Sequence, residues 1–215
     1  MTSNRKQSTR TLDCDVLVIG AGPAGSSAAR AVAESGGNVI MIDRRHRIGM
    51  PQQCAGFLPA AVALSPEMRG SVCNRIQGML TFLPDGSVEE TDSPGYIIQR
   101  DRCDRGLATA AAAAGAFLYA GARAVQHVHN LTRVHTDSGY IEIRSTITIG
   151  ADGPRSIADS GMGRDNKHIV LGSQVTVKLI SRLGKTRLYV DRHLPRHTGP
   201  LLPALFGAGT ASHWA

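Results

Sequence analysis

An apolar run that ends abruptly on glycines constrains this chain more than any other feature. Asp15-Val16-Leu17-Val18-Ile19 reads as a short buried strand, Gly20-Ala21-Gly22 as a tight turn, and Pro23-Ala24-Gly25 as the start of a helix. Each glycine has its own reason to be there. Gly20 permits the turn, Gly22 leaves the backbone open where a pyrophosphate must approach, and Gly25 lets the helix pack close to the strand. The free N–H groups at the helix start then face the phosphates.

Three glycines at this spacing are weak evidence alone, so the flanks decide. Ala24, Ala28, Ala29, Ala31, Val32 and Ala33 predict a small-residue helix that stops near Gly36-Gly37. Asn38-Val39-Ile40-Met41-Ile42 is a second apolar run, closed by Asp43 eighteen residues after Gly25. A carboxylate there accepts hydrogen bonds from the ribose hydroxyls of an adenine dinucleotide. The competing account, a plain β-turn-α unit with incidental glycines, needs spacing, flanks and terminal acid to agree by chance. Arg44 follows the acid directly and leaves two readings open, a ligand contact or a solvated loop; Arg45 and Arg47 read as loop.

At 215 residues the chain has room for one large or two small domains. Aromatics are 4% of it, too few to suggest stacked-base recognition, so no nucleic-acid partner is expected despite a formal charge of +7. No run approaches the length of a membrane span, and the first eleven residues are polar and basic without an apolar signal core, which makes a cytoplasmic location the expectation. Cys14, Cys54, Cys73 and Cys103 form no C-x-x-C pair, and no metal site is expected.

From Ile48 the period is lost, and Gly49-Met50-Pro51-Gln52-Gln53-Cys54-Ala55-Gly56 reads as a functional loop. Cys54 fits a tight space better than it fits a nucleophile. Residues 58–70 predict a weak helix, residues 78–90 a hairpin about Pro84-Asp85-Gly86, and Tyr96-Ile97-Ile98 a strand. Asp101 is placed to cap an alanine-rich helix ending before Gly115. Arg100, just ahead of it, is a cation at a strand-to-helix junction and is read as a phosphate contact over a solvent arginine. Short strands follow at residues 117–119, 124–128, 133–136 and 140–144, then a separate buried strand at 146–149 that ends on Gly150-Ala151-Asp152-Gly153. A second glycine-acid turn at a strand's carboxyl end suits a second contact with the same ligand. Residues 169–179 and 187–191 read as a further strand pair, and the proline-bearing end shows no clear period.

In this order the motifs resemble the geranylgeranyl reductase family of FAD-dependent oxidoreductases, within the p-hydroxybenzoate hydroxylase-like flavoproteins. The likeness covers roughly residues 13–191. Gly20, Gly22 and Gly25 match the family fingerprint and Asp43 its ribose acid. Cys54-Ala55-Gly56 stands where the family has a C-G-G loop, with Ala55 in place of its first glycine. Arg100-Asp101-Arg102-Cys103-Asp104 stands for its R-x-x-F-D motif, with Cys103 in place of the phenylalanine. Ala124 ahead of Val125 matches a small residue by the adenine, and Asp152-Gly153 the turn near the ribityl chain and pyrophosphate.

The resemblance implies an α/β fold, a Rossmann-like FAD/NAD(P)-binding domain with an inserted, incomplete β-rich substrate domain. The expected division is a flexible leader over 1–11, an FAD-binding domain over 12–165 with a loop and hairpin insertion at 50–94, and the start of a substrate domain over 166–215. FAD is the implied cofactor, with NAD(P)H as an electron donor, and the implied substrate is an isoprenoid or another hydrophobic, lipid-like molecule, with room for peripheral contact at the inner membrane surface. Gly20, Gly22, Ala24 and Gly25 would hold the pyrophosphate and Asp43 the ribose, with charge from Arg100. Cys54 and Ala55 would lie near the flavin ring. No side chain stands out as a proton donor, so no catalytic acid is assigned. The expected reaction is reduction of isoprenoid carbon–carbon double bonds, with aromatic hydroxylation or halogenation on the same cofactor as the alternative. The family's later G-D motif is not found after Asp191, so a C-terminally truncated, non-catalytic nucleotide-binding fragment is the third expectation.

Overall fold

A computed structural model of the chain describes residues 10–54, 56–83, 85–154, 156–157, 186–189 and 204–206. They fall into two units. The first comprises Met1–Met50 and Asp104–Lys167, and the second comprises Pro51–Cys103 and His168–Ala215.

The first unit is built on a six-stranded sheet in the order β6-β2-β1-β9-β8-β7. Its strands are β1 (Arg10–Ile19), β2 (Val39–Asp43), β6 (Phe117–Ala120), β7 (Arg123–Val128), β8 (Leu131–Thr136) and β9 (Gly139–Gly150). Neighbours from β6 to β9 run parallel, and β8 and β7 continue the sheet antiparallel. The next strand after β1 lies on one side of it and β9 on the other, which opens a crevice at the carboxyl end of β1. Every residue of β2 is buried, as a parallel strand covered on both faces requires. Alternation along β1 splits the core in two. Leu17 and Ile19 join Ile40, Ile42, Ala122, Ala124, Val134 and Ile143 in one cluster, which draws on residues of β7, β8 and β9 as well as β2. Val16 and Val18 join Val39, Met41, Ala29, Ala108 and Ala111 on the face covered by α1 (Pro23–Glu34) and the alanine run of α3 (Arg100–Ala113). Cys14 is buried as a small hydrophobe, and loss of hydration pushes its thiol pKa up.

The second unit is a five-stranded sheet, β11-β10-β4-β5-β3, with β3 (Phe57–Pro59), β4 (Val72–Phe82), β5 (Val88–Ile98), β10 (Thr186–Tyr189) and β11 (Ala204–Phe206). Three expectations are corrected here. Residues 58–70 are not one helix: β3 pairs with β5, and only α2 (Pro66–Arg69) is helical, because Pro59 and Pro66 bracket the stretch and break its hydrogen-bond ladder. The hairpin is much longer than 78–90, since β4 and β5 pair from Phe82↔Val88 back to Val72↔Ile98 and absorb the irregular positions as bulges. Asp101 does not precede α3 as a cap but lies in its first turn, where a carboxylate still complements the helix dipole. Of the strand expected at 187–191, residues 187–189 belong to β10, which pairs with β4 and β11; residues 190–191 and the expected partner strand at 169–179 lie outside the described residues.

A fourth correction concerns β9. Residues 140–144 and 146–149 form one continuous strand, and Ile147 is 56% exposed rather than buried. The polar pair Ser145-Thr146 suggested a break. It is tolerated inside the strand because the buried Ser145 hydroxyl meets Thr148 Oγ1 at 2.9 Å and its N–H donates to Asn130 O.

Leu17→Ala, at a fully buried site, should cost about 2–5 kcal/mol. Ile147→Ala should stay within about 0.5 kcal/mol. Urea titration of both variants checks this, and equal losses would be incompatible with the burial described.

Candidate dinucleotide site

The glycine turn is formed where β1, α1 and the turn after β9 converge. Gly20 has φ +106°, a conformation that side chains rarely adopt. A Cβ on it would meet the Ala151 carbonyl oxygen and stand 2.9 Å from Asp152 N. A Cβ on Gly25 would collide with the Gly20 carbonyl oxygen. Gly22 differs from both: its φ is −74°, and a Cβ there would meet nothing within 4 Å. It is spared a side chain although the protein itself has space for one. That vacant approach is where the fingerprint seats a pyrophosphate.

Helix α1 starts at the same place. Gly22 is its N-cap with no side-chain capping bond, Pro23 occupies the first position, and no acidic residue lies in the first turn. The first intrahelical bond runs from Ser26 N to Gly22 O at 2.9 Å, which leaves the amides of Ala24 and Gly25 ahead of it. An anion is the natural complement to such an end.

Asp43 is buried beside the loop. Its Oδ2 accepts the Ala21 N–H at 2.8 Å and its Oδ1 accepts the Arg45 N–H at 2.8 Å. Its carbonyl oxygen accepts the Ala122 N–H at 2.8 Å, and the Gly121 N–H donates to Arg45 O at 3.0 Å. The segment before β7 therefore runs beside the residue that sequence spacing assigned to the ribose. Arg44 is exposed, and Ala124 is buried in the core that underlies this corner.

The second glycine-acid turn meets the first. Ala151 N–H donates to Ile19 O at 2.8 Å, so residues 151–153 continue directly from the carboxyl end of β1's neighbour. Asp152 Oδ2 accepts the Ile157 N–H at 2.7 Å, whereas Oδ1 is buried with no hydrogen-bond partner among the described residues. A buried carboxylate oxygen without a donor is costly. A ligand hydroxyl would relieve it. The open approach at Gly22, the uncapped end of α1 and the orphan Oδ1 of Asp152 together fit a dinucleotide such as FAD. Gly153, with φ +89°, is exposed at the same turn.

Cys54 and Arg100 belong to the second unit, where Cys54 is exposed and Arg100 opens α3. Ala55 lies outside the described residues. Gly56 is pinned at φ +81° with its carbonyl oxygen accepting the Ile98 N–H at 2.8 Å. Among the described residues no group of three or more His, Cys, Asp or Glu side chains could hold a metal ion. Sequence reasoning missed Ser26, whose fully buried hydroxyl donates to Ala21 O at 3.2 Å. Its only signal was a polar residue on the helix face that otherwise carries Gly25 and Ala29.

A nucleotide-binding Rossmann-type unit with two glycine turns at one sheet edge is the class that fold and site define. Comparison with known proteins narrows it. A family model for FAD dependent oxidoreductases matches residues 15–60. The chain is 35% identical over 162 residues to an uncharacterized protein in the nifH2 5′ region of Methanosarcina barkeri, covering 69% of this chain and 87% of that protein. It is 38% identical over 165 residues to the digeranylgeranylglycerophospholipid reductase of Methanosarcina mazei, covering 70% of this chain and 40% of the reductase. With digeranylgeranylglycerophospholipid reductase 1 of Methanopyrus kandleri it shares 36% identity over 154 residues, 67% of this chain and 41% of the enzyme. The chain thus spans about two fifths of the length of these reductases. Among solved structures, a geranylgeranyl bacteriochlorophyll reductase-like protein from Thermoplasma acidophilum has the same fold, with a TM-score of 0.65 at 24% identity over 85% of this chain and 51% of that one. The chain carries the sequence signature of the FAD-dependent oxidoreductases and is similar, over about two thirds of its own length, to reductases named for geranylgeranyl lipids.

Gly22→Val should keep its far-ultraviolet circular dichroism and lose flavin, because the new side chain fills space that only a ligand needs. Gly25→Val should lower the melting temperature, because there the backbone is in the way. A Gly22→Val protein that titrates with FAD like the parent would move the phosphate site elsewhere.

Proposed function

We propose that this chain forms the dinucleotide-binding part of an FAD-dependent reductase that saturates isoprenoid carbon–carbon double bonds. The observation that carries the reading is the meeting of two glycine turns at the end of β1, in a chain whose relatives include reductases named for geranylgeranyl lipids. The first unit is assigned to the cofactor and the β-rich second unit to the substrate, a hydrophobic, lipid-like molecule. Among the described residues no helix is long and apolar enough to cross a membrane; peripheral contact with a lipid surface is part of the proposal.

The residue roles follow from the geometry and from motif order. Gly20 and Gly25 shape the turn, Gly22 admits the pyrophosphate, and the amides of Ala24 and Gly25 donate to it. Asp43 accepts from the ribose with the lone pairs its backbone bonds leave free, since each carboxylate oxygen has capacity for two. Arg44 lies by the adenosine side, Ala124 supports the adenine corner, and Asp152 Oδ1 with Gly153 takes the ribityl side. Motif order assigns Cys54 and Ala55 to the neighbourhood of the ring and Arg100 to a phosphate. When bound, FAD supplies the hydride chemistry, while the protein binds, orients and excludes water. NAD(P)H is the proposed source of the reducing equivalents.

Isothermal titration with FAD and with ADP tests the reading, since both use the Gly20 loop and Asp43 but only FAD extends to Asp152. Asp152→Ala should weaken FAD on the order of tenfold and leave ADP unchanged. Anaerobic addition of NADPH or NADH to the FAD-loaded chain should bleach the flavin's visible absorbance. A chain that binds neither nucleotide would remove the cofactor assignment, and equal losses of FAD and ADP in Asp152→Ala would remove the ribityl role.

A further inference from the structure

We propose that Asp43 and Ser26 are positioning residues that clamp the two sides of the Ala21 peptide and set the glycine loop for a pyrophosphate before any ligand arrives. The inference rests on the nucleotide-binding reading above and assigns a second job to its ribose acid. Ala21 is fully buried between Gly20 and Gly22. Its N–H donates to Asp43 Oδ2 at 2.8 Å, and its carbonyl oxygen accepts the Ser26 hydroxyl at 3.2 Å. One partner comes from the end of β2 and the other from the first turns of α1. The loop is therefore tied both to the sheet and to the helix that it joins.

The remaining backbone contacts extend the same tie. Gly20 N–H donates to Ile42 O at 2.7 Å, next to Asp43, and Asp43 is itself held by the Ala122 N–H on its carbonyl oxygen and the Arg45 N–H on Oδ1. A glycine-rich turn loses more conformational freedom on ordering than any other backbone. If that ordering occurred on binding, the ligand's affinity would carry the cost. A buried carboxylate accepting a backbone N–H is a charge-assisted bond, stronger than one between neutral groups, and suits the task. The Ser26 hydroxyl adds a neutral bond from the opposite side. In this arrangement the acid acts on phosphate binding through Ala21 without touching a phosphate.

The test uses the full chain and the variants Asp43→Ala, Asp43→Asn and Ser26→Ala, with Arg47→Ala as control. Amide hydrogen exchange at Ala21 is read in the ligand-free protein. Titrations with ADP and with inorganic pyrophosphate, which has no ribose, are read beside it. Asp43→Ala should speed Ala21 exchange about tenfold and weaken both ligands by a similar factor. Ser26→Ala should give a smaller, several-fold loss for both, and Asp43→Asn, which keeps one acceptor oxygen, should fall between Asp43→Ala and the parent. Arg47→Ala should leave all three quantities alone. If Asp43→Ala weakens ADP while pyrophosphate affinity and Ala21 exchange stay at parental values, Asp43 is a ribose contact and nothing more. A parent chain that binds neither ligand would defeat the nucleotide reading alone, since Ala21 exchange still decides the clamp. Should Asp43→Ala fail to fold, Ser26→Ala decides: unchanged exchange at Ala21 overturns the proposal.

Discussion

The first unit depends on one close approach, the passage of Gly25 over the carbonyl of Gly20. A single Cβ at Gly25 does not fit there. Because α1 begins so near the end of β1, its first amides arrive at the crevice rather than beside it, and the dipole of a twelve-residue helix is directed there. The small buried faces of α1 and α3, Gly25, Ser26 and Ala29 on one and Ala108 and Ala111 on the other, belong to the same constraint. Larger side chains would lift the helices from the sheet and withdraw the amides. Low side-chain volume on this face is thus linked to ligand geometry and not only to packing.

A similar exclusion brings in the far strand. Gly20 has no space for a Cβ because the Ala151 carbonyl lies against it, and Ala151 is fixed there by its hydrogen bond to Ile19. β9 lies beside β1 along most of its length, from Arg10↔Ile141 to Ile19↔Gly150. Two turns separated by more than a hundred residues in the chain are thereby held at one edge. The parallel register transmits the position of one turn to the other. A shift of one residue in β1 against β9 would separate them and would turn Leu17 and Ile19 to the opposite face.

What the sequence revealed and what it concealed divide along a physical line. The strand, turn, helix and acid from Val16 to Asp43 were legible because every level agrees there: an apolar run, obligatory glycines, an alanine helix and a terminal carboxylate. Residues 58–70 were misread because their apolar and alanine residues carry helical propensity, which the two prolines and pairing with β5 overrule. The break expected in β9 failed for a different reason. Ser145 looks like an interruption until its hydroxyl is seen to be satisfied by Thr148, a partner that no single-residue preference reports. Ser26 and the orphan oxygen of Asp152 were invisible for the same cause, since satisfaction and its absence are properties of three-dimensional neighbours.

The placement of a buried carboxylate next to a phosphate loop needs its own explanation, because an anion there opposes the ligand's charge. At 4 Å two unit charges interact by about 1 kcal/mol in water and several times that at lower effective dielectric. The helix avoids this conflict by having no acid in its first turn. Asp43 meets it differently: its two oxygens face the N–H groups of Ala21 and Arg45, so much of its charge is directed into backbone dipoles. Those bonds also fix the orientation of the Ala21 peptide next to Gly22. The repulsion is then a long-range and screened term, whereas an ordered loop acts at contact distance. With one backbone N–H on each oxygen, the carboxylate at the end of β2 offsets part of its opposition to an anion by ordering the loop that would hold one, while one lone pair on each oxygen stays free.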